Sequence, residues 1–164
     1  MKKLLMMACM MLCSTTMFAE QGDKAFGVNL NYGLHSDYKN LGLGVKGQYE
    51  FIDNVRGEAS FNYYLKKDNV SMWELNANVH YLFHITDQVT LYPLAGLTML
   101  TAKVEAADFG GIKTSASDTN IGLNLGAGIE YPLSDTVKLN GEIKYQIVND
   151  FDRPVISVGL TFAL

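Results

Sequence analysis

Residues 119–131 read TNIGLNLGAGIEY. Ile121, Leu123, Leu125, Ala127 and Ile129 alternate there with Gly122, Asn124, Gly126, Gly128 and Glu130. A period of two sends successive side chains to opposite faces of a strand, so this segment has one apolar face and one small or polar face. At roughly ten residues or more, it is also long enough for a tilted strand to cross a bilayer.

The same pattern recurs on both sides of it. Ala25–Leu34 sets Phe26, Val28, Leu30 and Tyr32 against Gly27, Asn29 and Asn31. Leu41–Phe51, Val55–Leu65 and Met72–His84 follow, the last with Trp73, Leu75, Ala77, Val79, Tyr81 and Phe83 opposite Glu74, Asn76, Asn78 and His80. Val89–Ala102 is the least regular, apolar on both faces and interrupted by Pro93, which cannot donate to a ladder and predicts a bulge or loosened pairing. Thr136–Ile147 and Val155–Leu164 complete a set of eight after residues 119–131. No sustained helical periodicity competes with it.

Alternation leaves open whether the apolar face is inside, as in a soluble barrel, or turned outward to lipid. Three features favour lipid. The opposite face is rich in glycine and carries Lys46, Glu50, Arg56, Glu58, Glu74, Glu130, Lys138, Glu142 and Lys144, a mixture suited to a narrow lumen filled by its own side chains. The connections around Asp53, Thr86 and Ser134 read as short and the others as longer, the extreme being Lys103 to Asp118, the rhythm of periplasmic turns and outer loops. Outward aromatics also gather at both strand ends. Phe26, Tyr49, Phe51, Tyr81, Phe83, Tyr131 and Phe162 lie toward the short turns, and Tyr32, Tyr63, Trp73 and Tyr145 toward the other end. Two girdles match two bilayer interfaces. The fold class expected is all-β, an eight-stranded antiparallel up-and-down transmembrane barrel.

The first residues have the form of a secretory signal: Lys2 and Lys3, an apolar run from Leu4 to Leu12, then small and polar residues. The run is too short for a spanning helix. Residues 1–19 are therefore read as a cleaved signal peptide and 20–164 as the barrel domain. Both cysteines, Cys9 and Cys13, fall in the signal, so the mature chain has no thiol for disulfide, metal or nucleophile. Losing Lys2 and Lys3 takes the formal charge from −4 to about −6, which disfavours nucleic acid as a partner.

Whole-chain pattern and final strand together resemble the small outer-membrane β-barrel proteins, the OmpX-like family and the OmpA transmembrane domain. The sharpest element is the end, where Ile156, Val158, Leu160, Phe162 and Leu164 alternate to the last residue. In that family such a strand is read by the barrel-assembly machinery and usually ends in phenylalanine; here Leu164 is terminal. The resemblance implies a Gram-negative outer membrane, with lipid and lipopolysaccharide as surroundings. It does not fix one activity.

Candidate chemistry is sparse. If the hairpins turn about Asp53 and Ser134, Glu50 faces Arg56, Gln48 faces Glu58 and Glu130 faces Lys138, a lumen charge network more suited to filling the barrel than to passing ions. His80 and His84 are both expected to point inward, but about 13 Å apart along a strand they cannot share one zinc ion. His35, Ser36 and Asp37 supply triad residue types without triad geometry. The reading is a structural or surface-interaction protein with no cofactor, metal or catalytic residue. A narrow porin-like channel and a lipid-modifying enzyme are the alternatives. The Lys103–Asp118 loop, with Phe109 beside Gly110 and Gly111, is the candidate surface contact.

Overall fold

In the computed structural model, residues 22–34, 39–67, 70–105, 115–149 and 152–164 are described. They form one antiparallel sheet closed on itself. Its strands are β1 (Lys24–Leu34), β2 (Lys39–Ile52), β3 (Val55–Lys67), β4 (Val70–Tyr81), β5 (Thr90–Glu105), β6 (Ser115–Pro132), β7 (Val137–Val148) and β8 (Arg153–Ala163). Each pairs with its neighbour in sequence, and β1 closes on β8 from Ala25↔Ala163 to Gly33↔Val155. Closure leaves no edge along the barrel wall, which a bilayer demands because lipid cannot satisfy free backbone groups.

The expected alternation holds with its apolar set outward. Leu43, Leu97, Leu125 and Ile143 are exposed, whereas Asn124 and Glu74 are fully buried. The core of this barrel is thus polar, and its apolar surface is its outside.

Pro93 behaves as a missing donor. It stays in unbroken register with β6, opposite Ala127. Toward β4 the ladder stops at His80↔Leu94 and resumes at Phe83↔Leu91, and the Leu82 N–H turns instead to the Asn54 carbonyl at 2.7 Å. The two-residue strand Phe83–His84 therefore continues β4 beyond a local break.

Two expectations are corrected. The link between β3 and β4 is residues 68–69, as short as the Asp53–Asn54 turn, so connection length does not mark the outer end throughout. At that inner turn Asn54 adopts φ 68°, a left-handed conformation that asparagine tolerates better than most residues. The outer strand ends also reach further than the apolar pattern did: β5 runs on to Glu105 and β6 begins at Ser115. Residues 1–19, His35, Ser36, Asp37 and Phe109 lie outside the described residues.

Candidate functional site

The inward positions of β4, continued to Leu82 just past its end, read Met72, Glu74, Asn76, Asn78, His80, Leu82, every one buried. An apolar residue at each end brackets four polar ones, and the barrel repeats that layering in three dimensions. Toward the outer end Tyr64, Met72, Leu100, Ala102 and Val148 pack together inside the lumen. Toward the inner end Leu82, Tyr92 and Leu94 do the same. The two apolar faces of β5 are explained here: one meets lipid, the other supplies both of these clusters. Tyr92 has room because Gly128 stands opposite it, where any side chain would collide with the phenol.

The polar middle has two hubs. Glu74, 0% exposed, accepts from Asn62 Nδ2 at 2.8 Å, Asn76 Nδ2 at 3.1 Å, the Tyr64 hydroxyl at 3.2 Å and Gln146 Nε2 at 3.0 Å. Arg153 Nη2 reaches it at 2.9 Å and Lys144 Nζ at 3.8 Å. The Arg153 guanidinium also lies over the Tyr64 ring, 4.3 Å from its centroid. Two cations and four neutral donors around one carboxylate offset the cost of burying its charge.

The second hub is Glu58, beside Lys46 Nζ at 3.4 Å and bonded by Gln48 Nε2 at 2.8 Å. Arg56 Nη2 pairs with Glu130 at 2.7 Å across the lumen, and its guanidinium lies 5.0 Å from the Tyr92 ring centroid. Tyr92 stacks on His80 and donates to Glu142 at 3.2 Å.

Of the nine charges singled out from sequence, Lys46, Arg56, Glu58, Glu74, Glu130, Glu142 and Lys144 are buried in the lumen. Glu50 is half-buried and Lys138 exposed at the inner rim. Glu50 does stand opposite Arg56 and Gln48 opposite Glu58 in register. Glu130, however, is opposite Asn140, with Lys138 opposite Pro132, so the expected Glu130–Lys138 rung is replaced by Arg56–Glu130. The turn about Ser134 contains two more residues than a rung at that position allows. Arg153, Tyr64 and Tyr92 are lumen residues that the sequence reading passed over. Arg153 carries the same parity as Ser157 and Thr161, and was masked by Pro154 at the apparent strand start.

Outside, Phe26 pairs with Phe162 at the inner end, where Tyr49 and Phe51 meet edge to face and Tyr81 lies against Phe83, with Tyr131 opposite Leu139. Tyr63 pairs with Trp73 at the outer end, while Tyr32 and Tyr145 stand opposite Ile156 and Pro154. Trp73 and Tyr49 are half-buried and the other nine rings exposed.

His80 is inward and fully buried, but His84 is exposed at the inner turn, so the pair shares neither lumen nor ligand. Glu58, His80 and Glu142 bring three potential ligand atoms within 4.8 Å of one another. Arg56 Nε and Nη2 lie 3.3 and 3.1 Å from His80 Nδ1. A guanidinium only donates, so Nδ1 accepts and the ring proton of a neutral imidazole sits on Nε2, the atom a metal would need. A metal-bound histidine normally donates from its other nitrogen, the reverse of this arrangement.

A polar, filled lumen inside an apolar, aromatic-rimmed wall is a membrane architecture. Residues 5–163 match the model of the outer membrane protein beta-barrel domain. The chain belongs to that family. Its structure is similar to Neisserial surface protein A, with TM-score 0.67 and 21% identity over 86% of this chain and 96% of that one. Ail of Yersinia pestis gives 0.63 and 20% over 87% and 97%. OprG of Pseudomonas aeruginosa gives 0.62 and 12% over 87% and 95%. At such identities the likeness is one of fold. No curated protein sequence matches the chain. The protein is thus a small eight-stranded barrel of the outer membrane, its apolar wall turned outward.

Proposed function

We propose that this barrel is a non-conducting, non-catalytic anchor that acts through its outer end. The observation that carries the reading is burial at mid-lumen: Glu74, His80 and Asn124 are each 0% exposed. A continuous file of water would wet at least one of them, and eight strands enclose only about enough width for side chains. The apolar clusters above and below add two dry barriers. Within the described lumen the carboxylates are engaged by cations or phenols, and no nucleophile with a base and an oxyanion site accompanies them.

The test is electrical. Purified protein in a planar bilayer should give no steady current in either polarity. Reproducible open-channel current that scales with salt would overturn the anchor and make Lys46, Arg56 and Glu130 a selectivity lining.

The same reading takes residues 1–19 as a leader lost on export, the β8 alternation as the segment handled by the assembly machinery, and lipopolysaccharide as the outer-leaflet neighbour. Ail has been solved with the heparin analogue sucrose octasulfate. For this chain, with a mature charge of about −6, a sulfated polymer is the poorer match. A polypeptide partner at the outer end fits better.

A further inference from the structure

Glycine serves two different ends in this barrel. At the inward positions Gly44, Gly96, Gly122, Gly126 and Gly128 a side chain would run into lumen groups or the neighbouring backbone, so close packing demands glycine. Gly141 on β7 has no such reason. It faces outward between Leu139 and Ile143, with Ile129 of β6 and Val158 of β8 opposite it. Its φ is not positive, and the first carbon of a side chain there would stand 3.8 Å from its nearest neighbour, Ile129 Cγ2. Glycine inside a strand weakens it, and one that the fold does not require marks a place where another molecule comes close.

The missing side chain leaves a hollow of roughly 210 Å³ in the outer wall. Ile129, Tyr131, Leu139 and Val158 form its sides, and Asn140 and Gly141 its floor. Asn140 contributes backbone alone, because its side chain turns into the lumen, to Lys46 Nζ at 3.0 Å and Thr161 Oγ1 at 2.7 Å. The lining is therefore apolar.

Register places the hollow in the membrane. Tyr131 of the inner girdle is opposite Leu139, two residues from Gly141. At roughly 3.4 Å per residue, the floor lies about 7 Å along the strand to the membrane side of that ring, in the inner leaflet. Lys138 is exposed at the inner rim, about 10 Å along the same strand from Gly141.

We propose that this hollow holds one acyl chain of an inner-leaflet glycerophospholipid, whose phosphate is met by the Lys138 ammonium. The cation stands at the rim, where a phosphate lies, and the hollow stands deeper, where the chain passes. Lysine at a membrane interface extends its charge to the headgroups along a flexible stem. Of the nearby acids, Glu130 is held inside the lumen by Arg56, and Asp135 sits in the turn, further from the hollow. A chain against the floor also regains dispersion contacts that an empty notch forfeits.

A second copy is the weaker occupant. Between proteins in lipid, burying apolar surface gives no drive, and association needs close packing over an extended face. This is a single notch flanked by the ridges of Ile129 and Val158. Gly47 also faces outward, with no atom within 4 Å of its missing side chain, but Ala59 opposite it is too small to form a wall. It serves as the control.

The experiment counts lipid. The full barrel is taken from vesicles of phosphatidylethanolamine and phosphatidylglycerol into mild detergent, and native mass spectrometry measures what stays bound. One retained phospholipid per barrel is expected. Gly141→Leu fills the hollow and should lose most of that adduct, whereas Gly47→Leu should keep it. Lys138→Gln should release the lipid at a lower detergent concentration than wild type. Fast migration on unheated gels confirms a closed barrel in each variant.

No retained lipid, equal retention by Gly141→Leu, or equal loss in Gly47→Leu would overturn the proposal. Indifference to Lys138→Gln would overturn the seating of the phosphate. A lipid-free dimer that Gly141→Leu disperses would overturn it in favour of a second copy. None of these outcomes bears on conductance, so the anchor reading stands or falls separately.

Discussion

Glu74 and Glu142 are both buried carboxylates in the same lumen, yet they share no hydrogen-bond partner. Glu74 is met by Arg153, Lys144, Gln146, Asn62, Asn76 and Tyr64. Glu142 has the Tyr92 hydroxyl, and its neighbourhood contains the unpaired atoms His80 Nε2 and Gln48 Oε1. Around Glu74, polar burial is nearly saturated with partners. Around His80 and Glu142 it is slacker. Glu74 is a pin that fixes which strands lie where; Glu142 fills space. Buried networks are rigid when complete and weak where they are not.

The largest effect should therefore come from the pin. Glu74→Gln leaves Arg153 and Lys144 without their shared anion, and should cost about 3–5 kcal/mol, the range for breaking a buried pair. Urea unfolding in vesicles measures it, and a loss no greater than that of Glu142→Gln would erase the distinction between the two carboxylates.

An intermediate effect is expected in a double-mutant cycle. Glu74→Gln combined with Arg153→Gln should cost less than the two single losses together, with coupling of about 1–3 kcal/mol. Strict additivity would mean that the 2.9 Å contact carries no energy of its own. The smallest effect belongs to Glu142→Gln, which exchanges one acceptor for another and should cost about 0.5–1.5 kcal/mol. A loss as large as that at Glu74 would show Glu142 to be a second pin.

Much of this architecture was readable from residue order, and the reasons are specific. Ile121 to Glu130 could only sit as a strand with one apolar face, and the girdle aromatics could only be outside. Nearest-neighbour register was legible where a tight turn set it, as with Glu50 opposite Arg56 across Asp53–Asn54. It failed at Glu130, because the turn from Leu133 to Thr136 holds Ser134 Oγ against the Val137 and Thr136 N–H groups and shifts the ladder by two residues. Partners across the lumen were not legible at all. Arg56 to Glu130 and Arg153 to Glu74 depend on how strand tilt brings distant walls level, which no local spacing encodes. The ribbon beyond Thr119 was invisible for the opposite reason: Ser115 to Asp118 has no apolar face for a period to reveal.

One contact ties two distant strands to a single event. Around the barrel β4 and β8 are four strands apart in either direction, so Arg153 and Glu74 face each other from opposite walls. The carboxylate enters with the first half of the chain, and its arginine arrives on the last strand. Until the opposite walls come together, Glu74 stands without Arg153, and closure delivers that partner to the middle of the structure. Completion of the wall and neutralisation of its centre are then the same event. A barrel that stops one strand short is left open along its side and without the nearer of Glu74's two cations.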